Sequence, residues 1–144
     1  MENTNQSVEK NSNFNFKEAK YATGRRKTSI AKVWLAKGSG KILINGKDYK
    51  KYFSRANHVM QLLRPFEIIN QSSDYDVKCN VTGGGLTGQV GALVHGISKA
   101  LLLFDLNLKP VLKKEKLTTR DSRSVERKKY GHRKARRSFQ FSKR

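Results

Sequence analysis

Apolar and polar residues alternate strictly over residues 75–81. Tyr75, Val77, Cys79 and Val81 point one way and Asp76, Lys78 and Asn80 the other, which predicts a half-buried strand. Residues 29–36 carry Ile30, Val33, Trp34 and Leu35 and also read as a strand. Gly38-Ser39-Gly40 turns the chain, so residues 41–44 are expected to return as a hairpin partner, with Asn45-Gly46 ending that strand. A different period governs residues 89–104: Val90, Leu93, Val94, Ile97, Leu101 and Phe104 recur at steps of three and four, which predicts one long helix. Residues 48–53 and 59–64 read as short helices, the second stopped near Pro65 because proline disfavours helical geometry at the residue before it. The compact domain is expected over residues 21–117, and no internal repeat is visible.

Outside that block the pattern fails. Residues 1–20 are rich in Asn and Ser and read as a disordered extension. They lack arginine and an apolar run, so neither a mitochondrial transit peptide nor a secretory signal fits. Residues 118–144 read as an extended basic tail. Its last eighteen positions hold nine Lys or Arg, no acid, one alanine as their whole aliphatic content, and Tyr130, Phe139 and Phe141. Nine like charges cannot repay the entropy of ordering on their own. They order against a polyanion, where cations displace counterions and aromatic rings offer stacking faces. The whole chain agrees, with 31 Lys and Arg against 11 Asp and Glu, a net charge of +20 on 144 residues. A membrane partner fits less well, because the tail has no long apolar helical face and no stretch approaches the ~18 apolar residues of a spanning helix. A single cysteine, Cys79, rules out an internal disulfide, fits a reducing compartment, and reads as a core residue.

Gly83-Gly84-Gly85-Leu86-Thr87-Gly88 satisfies G-x-G-x-x-G after a strand and before a helix, with Asp105 about twenty residues on. A dinucleotide site needs that acid at the end of a second parallel strand, and the helical pattern through Phe104 leaves no room for one. The remaining readings are a tight strand-to-helix turn or a helix N-terminus open to an anion such as RNA phosphate. Gly91, His95, Ser98 and Lys99 lie on the other face of the helix, where small residues beside a base admit either a phosphate or a closely packed strand. Arg25, Arg26 and Lys27 form a second basic cluster entering the first strand. A third patch at Arg120 and Arg123 mixes signs with Asp121 and Glu126 where the domain hands over to the tail. His58, His95 and His132 lack the spacing of a metal pair, and no cofactor, metal or small-molecule substrate is expected.

Gly24-Arg25-Arg26-Lys27, Ile44-Asn45-Gly46, Gly83-Gly84-Gly85 with Gly88-Gln89, His95-Gly96-Ile97, Thr119-Arg120-Asp121, Glu126-Arg127-Lys128-Lys129-Tyr130-Gly131 and Gln140-Phe141-Ser142-Lys143-Arg144 together resemble ribosomal protein nine of the small subunit, from about residue 21 to 144. Two features depart from the family's pattern: Lys116-Leu117-Thr118 stands where a glycine and larger apolar residues are usual, and Ser138-Phe139 varies the tail. The resemblance implies an α+β two-layer fold like the second domain of ribosomal protein five, with helices on one face of a small mixed sheet and a long extended basic C-terminal tail. It implies no catalytic role. It implies binding to the 3′ major domain of small-subunit rRNA in the head, beside neighbouring head proteins, and a tail reaching the anticodon stem-loop of P-site tRNA. The expected rRNA contacts are Arg25, Arg26, Lys27, Gly83, Gly84, Gly85, His95, Lys99, Arg120, Arg123, Arg127, Lys128, Lys129, Tyr130, Arg133, Lys134, Arg136 and Arg137. Ser142, Lys143 and Arg144 are the expected tRNA contacts. The ending looks bacterial or organellar, and a cytoplasmic bacterial ribosome is the implied location ahead of an organellar one. An enzyme resting on the glycine loop and a free RNA chaperone are the alternatives.

Overall fold

The structure is a computed structural model that describes residues 17–70 and 74–143. The reading of residues 1–20 as a disordered extension falls mostly outside them, as does Arg144. Five strands form one mixed sheet: β1 (Lys20–Arg26), β2 (Ser29–Lys37), β3 (Ile42–Ile44), β4 (Lys47–Asp48) and β5 (Tyr75–Thr82), in the order β1-β2-β5-β3-β4. The β1, β2 and β5 neighbours run antiparallel, whereas β3 lies parallel to β5. The helices are α1 (Tyr49–Tyr52), α2 (Ala56–Ile68), α3 (Leu86–Phe104) and α4 (Lys109–Lys114), with a 3₁₀ turn at Leu106–Leu108. The fold is α+β. Ala31, Val33 and Leu35 of β2 and Val77, Cys79 and Val81 of β5 are buried beneath the helices with Val90, Leu93, Ile97 and Leu101 of α3. The core position of Cys79 is as read from the alternation, and burial pushes its thiol pKa up, away from nucleophilic use.

Three local readings are corrected. The run at 41–44 is not the hairpin partner of 29–36, because β5 lies between β2 and β3. Asp76 on β5 gathers the loop instead: its Oδ1 accepts the backbone N–H of Ser39 at 2.8 Å and of Lys41 at 2.9 Å, which carries the chain over the end of β5. The hairpin β3 makes is with β4, across Asn45-Gly46, both at positive φ. The Asn45 side chain then extends the ladder, donating to Val81 O and accepting from Val81 N. Pro65 does not end its helix, since α2 runs on to Ile68. A helical proline costs about 3 kcal/mol. Here it is offset because Leu62, Pro65 and Phe66 share one buried stripe of α2. Lastly, α3 is long and apolar enough to cross a bilayer by length and composition, contrary to the reading of the sequence. Its apolar stripe is nevertheless buried in the fold, as in the core helix of a two-layer domain.

The family's usual glycine near residue 116 acquires a physical reason. Lys116 N–H donates to Lys113 O at 2.9 Å and Leu117 N–H to Leu112 O at 3.1 Å, the paired bonds that close a helix through a left-handed residue. Lys116 occupies that position at φ 57°. Lys116→Gly is therefore expected to stabilise the fold by about 1 kcal/mol, read as a raised midpoint in chemical denaturation with an unchanged slope.

Candidate nucleic-acid interface

The basic clusters and the glycine loop, far apart in sequence, meet at one end of the sheet. Lys27 and Thr28 form the two-residue turn between β1 and β2, with Lys27 at φ 51°. That turn lies on the Gly83-Gly84 loop. A Cβ at Gly83 would stand 2.6 Å from Thr28 O, and one at Gly84 would strike Ser29 Oγ. Gly83 and Gly84 also sit at φ 74° and 62°. Steric need thus explains both. Gly85 has open space around it and is the N-cap of α3, with no side-chain cap and no acid in the first turn. The loop is exposed, and a helix start of this kind favours an anion. A polar chain supports it: Tyr52 Oη donates to Gln89 Oε1 at 2.8 Å, Gln89 Nε2 donates to Gly83 O, and Ser29 Oγ donates to Gly83 O. Among the described residues no parallel strand follows α3. Asp105 instead caps the 3₁₀ turn, accepting Asn107 N–H at 2.8 Å.

The glycines of α3 answer the choice between a phosphate and a strand. Gly91 packs on the stem of Arg26, and Gly96 faces Gly24 of β1 and Val33 of β2. Close strand packing occupies that face. Lys99 Nζ donates to Thr23 O at 3.0 Å, and the Arg25 N–H donates to His95 Nδ1 at 3.3 Å. Burial, then the nearby Lys99 charge, lowers the His95 pKa below its usual 6.5, which disfavours the charged ring.

Arg26 fastens the root of the tail. Its Nη1 donates to Arg123 O at 2.8 Å and Asp121 O at 3.3 Å, and its Nη2 pairs with Asp121 Oδ2 at 3.0 Å. Asp121 also takes bidentate bonds from Arg123, and these, followed by the charges of Arg123 and Arg26, hold its pKa at about 2. The clasp therefore stays ionised until pH falls toward that value. Beside it, Lys113, Lys116, Thr119, Arg120 and Asp121 line a cavity of about 510 Å³. Lys113 and Lys116 were not among the contacts expected from the sequence, because their proximity to Arg120 depends on how α4 ends.

Beyond Arg123 the described tail has no helix or strand, and its residues are largely exposed. Lys129 and Arg136 pair with Glu126, Arg133 lies over the Phe139 ring at 5.3 Å, and Ser138 Oγ lies 3.1 Å from His132 Nδ1. Tyr130 and Phe141 are turned to solvent. Arg127, Lys128, Lys134 and Arg137 are exposed cations, and Ser142 and the Lys143 cation are exposed at the end of the described tail. The family model described as ribosomal protein S9/S16 matches residues 24–144, which takes in the β1–β2 turn, the glycine loop, the clasp and the whole tail. On that match the chain belongs to the ribosomal protein S9/S16 family, whose members are rRNA-binding structural constituents of the small ribosomal subunit.

Proposed function

We propose that the protein anchors to the 3′ major domain of small-subunit rRNA in the head and extends its tail to the anticodon stem-loop of P-site tRNA. Residues 21–117 are the anchor, residues 118–144 the probe, and residues 1–20 an extension outside both. Arg25, Lys27, the Gly83-Gly84-Gly85 loop and Arg120 meet the rRNA at the basic end of the sheet. Arg26, His95 and Lys99 hold that end in shape. Arg127, Lys128, Lys129, Tyr130, Arg133, Lys134, Arg136 and Arg137 neutralise phosphates along the path of the tail. Ser142, Lys143 and Arg144 take the tRNA, where the planar guanidinium of Arg144 can grip one phosphate through two hydrogen bonds. The setting is the cytoplasmic bacterial ribosome, among neighbouring head proteins and with no small-molecule substrate.

The observation that carries this reading is the combination of a fastened root with an exposed, almost purely basic run beyond it. The twenty-one residues beyond Arg123 span up to about 70 Å when extended, far outside the reach of the domain. Small subunits carrying Arg144→Ala are expected to assemble normally and to retain P-site tRNA about ten- to a hundredfold less well, one charge-assisted bidentate contact being worth roughly 1.5–3 kcal/mol. Filter retention of tRNA by mutant and wild-type subunits measures it. Equal retention removes the tRNA role, and a chain that washes off subunits at high salt is a free RNA binder instead.

A further inference from the structure

Of the second face of the sheet, only Arg25, at one end, has been given a role so far. On β1, β2 and β5 the residues that turn away from the helices are Tyr21, Thr23 and Arg25, then Ile30, Lys32 and Trp34, then Lys78, Asn80 and Thr82. The strand register aligns them in three rows: Tyr21–Trp34–Lys78, Thr23–Lys32–Asn80 and Arg25–Ile30–Thr82. With strands ~4.8 Å apart and ~6.8 Å between alternate residues, the grid covers about 10 by 14 Å. At one end the Tyr21 and Trp34 rings lie 5.2 Å apart at 41°, and Tyr21 is 45% exposed. Trp34 is the chain's one tryptophan and is only partly buried.

We infer that this face is a stacking platform for bases of single-stranded RNA, separate from the phosphate-binding end of the sheet. The argument rests on what the rows combine. Aromatic rings on a sheet surface give unpaired bases a face to stack on. Lys78 shares the row of the rings, Lys32 lies one row on and Arg25 two rows on, so positive charge for the backbone runs along the face. The acid on these strands, Asp76, already accepts the N–H groups of Ser39 and Lys41 and is spent on the loop. Asn80 and Thr82 supply donors and acceptors for base edges. A duplex fits poorly, since its bases are not free to stack on a flat protein surface. This inference rests on the RNA-binding reading above but assigns a surface of which that reading uses only Arg25, at its edge.

The test uses the full chain and a labelled single-stranded RNA oligonucleotide of mixed sequence, with inorganic polyphosphate of matched charge as the control. Binding is followed twice, by anisotropy of the label and by Trp34 emission. RNA is expected to quench Trp34 saturably while polyphosphate binds without quenching. Tyr21→Ala and the milder Tyr21→Leu are expected to weaken RNA binding, the first about tenfold, by the same factor at low and high salt, because stacking does not release counterions. If RNA binds but Trp34 emission is unchanged, the platform is overturned, the basic end and tail retain their role, and the face is left to a protein neighbour. If RNA fails to bind at all, the RNA-binding reading fails with it.

Discussion

Removing residues 127–144 is expected to cut affinity for a small-subunit rRNA fragment by orders of magnitude at moderate salt and to flatten its salt dependence. The segment holds nine Lys or Arg. If each contacts a phosphate of a single strand at about 0.7 counterions per contact, the slope of log K against log salt becomes shallower by up to about six. The true change will be smaller, because Lys129 and Arg136 already pair with Glu126, and those exposed pairs must be traded for phosphate. Folding should be untouched. The core residues lie between Ala22 and Leu112, and the Arg26 clasp on Asp121 and Arg123 stays in the truncated chain. Thermal unfolding of the truncated protein controls for this, and a salt titration of binding reads the effect. An unchanged slope would show that the tail carries few of the phosphate contacts and that the basic end of the sheet dominates.

Much of this was legible in the sequence, for reasons that differ from part to part. The strand at Tyr75–Thr82 and the helix at Leu86–Phe104 stand out because each buries one face of a single period, and burial is what writes a period into sequence. The basic character of the tail was legible from composition, which needs no fold to interpret. The pairing of residues 41–44 was not legible, because a glycine-rich turn leaves the same mark whether the chain doubles back or crosses over another strand. Strand β1 was missed as well: Ala22 and Gly24 face the helix while Arg25 and Arg26 look like a charge run. Arg26 was read as part of a basic cluster entering the first strand, and His95 and Lys99 as polar groups on one face of the helix; that the fold brings the three together was not read. Their internal partners, a backbone carbonyl in two cases and a backbone N–H in the third, leave no trace in side-chain composition. The open-face rows were half legible, since the outward set on 75–81 was plain but its alignment with Trp34 depended on the register of β2.

Substituting Gly24 is expected to damage the protein more than any single change in the tail. A Cβ at that position would be driven into the carbonyl oxygen of Ala92 and the amide nitrogen of Gly96, with the Gly96 Cα beyond. All three are backbone atoms of α3, so no rotamer relieves the clash, and strand and helix must separate. Overpacking a core typically costs 1–3 kcal/mol when side chains can give. Here they cannot, so Gly24→Ala should cost about 3 kcal/mol or more, and Gly24→Val should prevent folding, given domain stabilities of about 5–15 kcal/mol. The reciprocal site is more forgiving, because a Cβ at Gly96 first meets Val33 Cγ2 at 2.7 Å, a side chain that can shift. Gly85→Ala is the control, with open space and φ −103°, and should cost about 1 kcal/mol at most, the loss of a favoured N-cap residue. Denaturant midpoints of Gly24→Ala and Gly85→Ala, measured together, decide the matter. If the two coincide, β1 does not pack backbone to backbone on α3. Because β1 also carries Arg25 and Arg26, a strand pushed off the helix would loosen the root of the tail, and so the loss in Gly24→Ala should extend to RNA binding even where the domain remains folded.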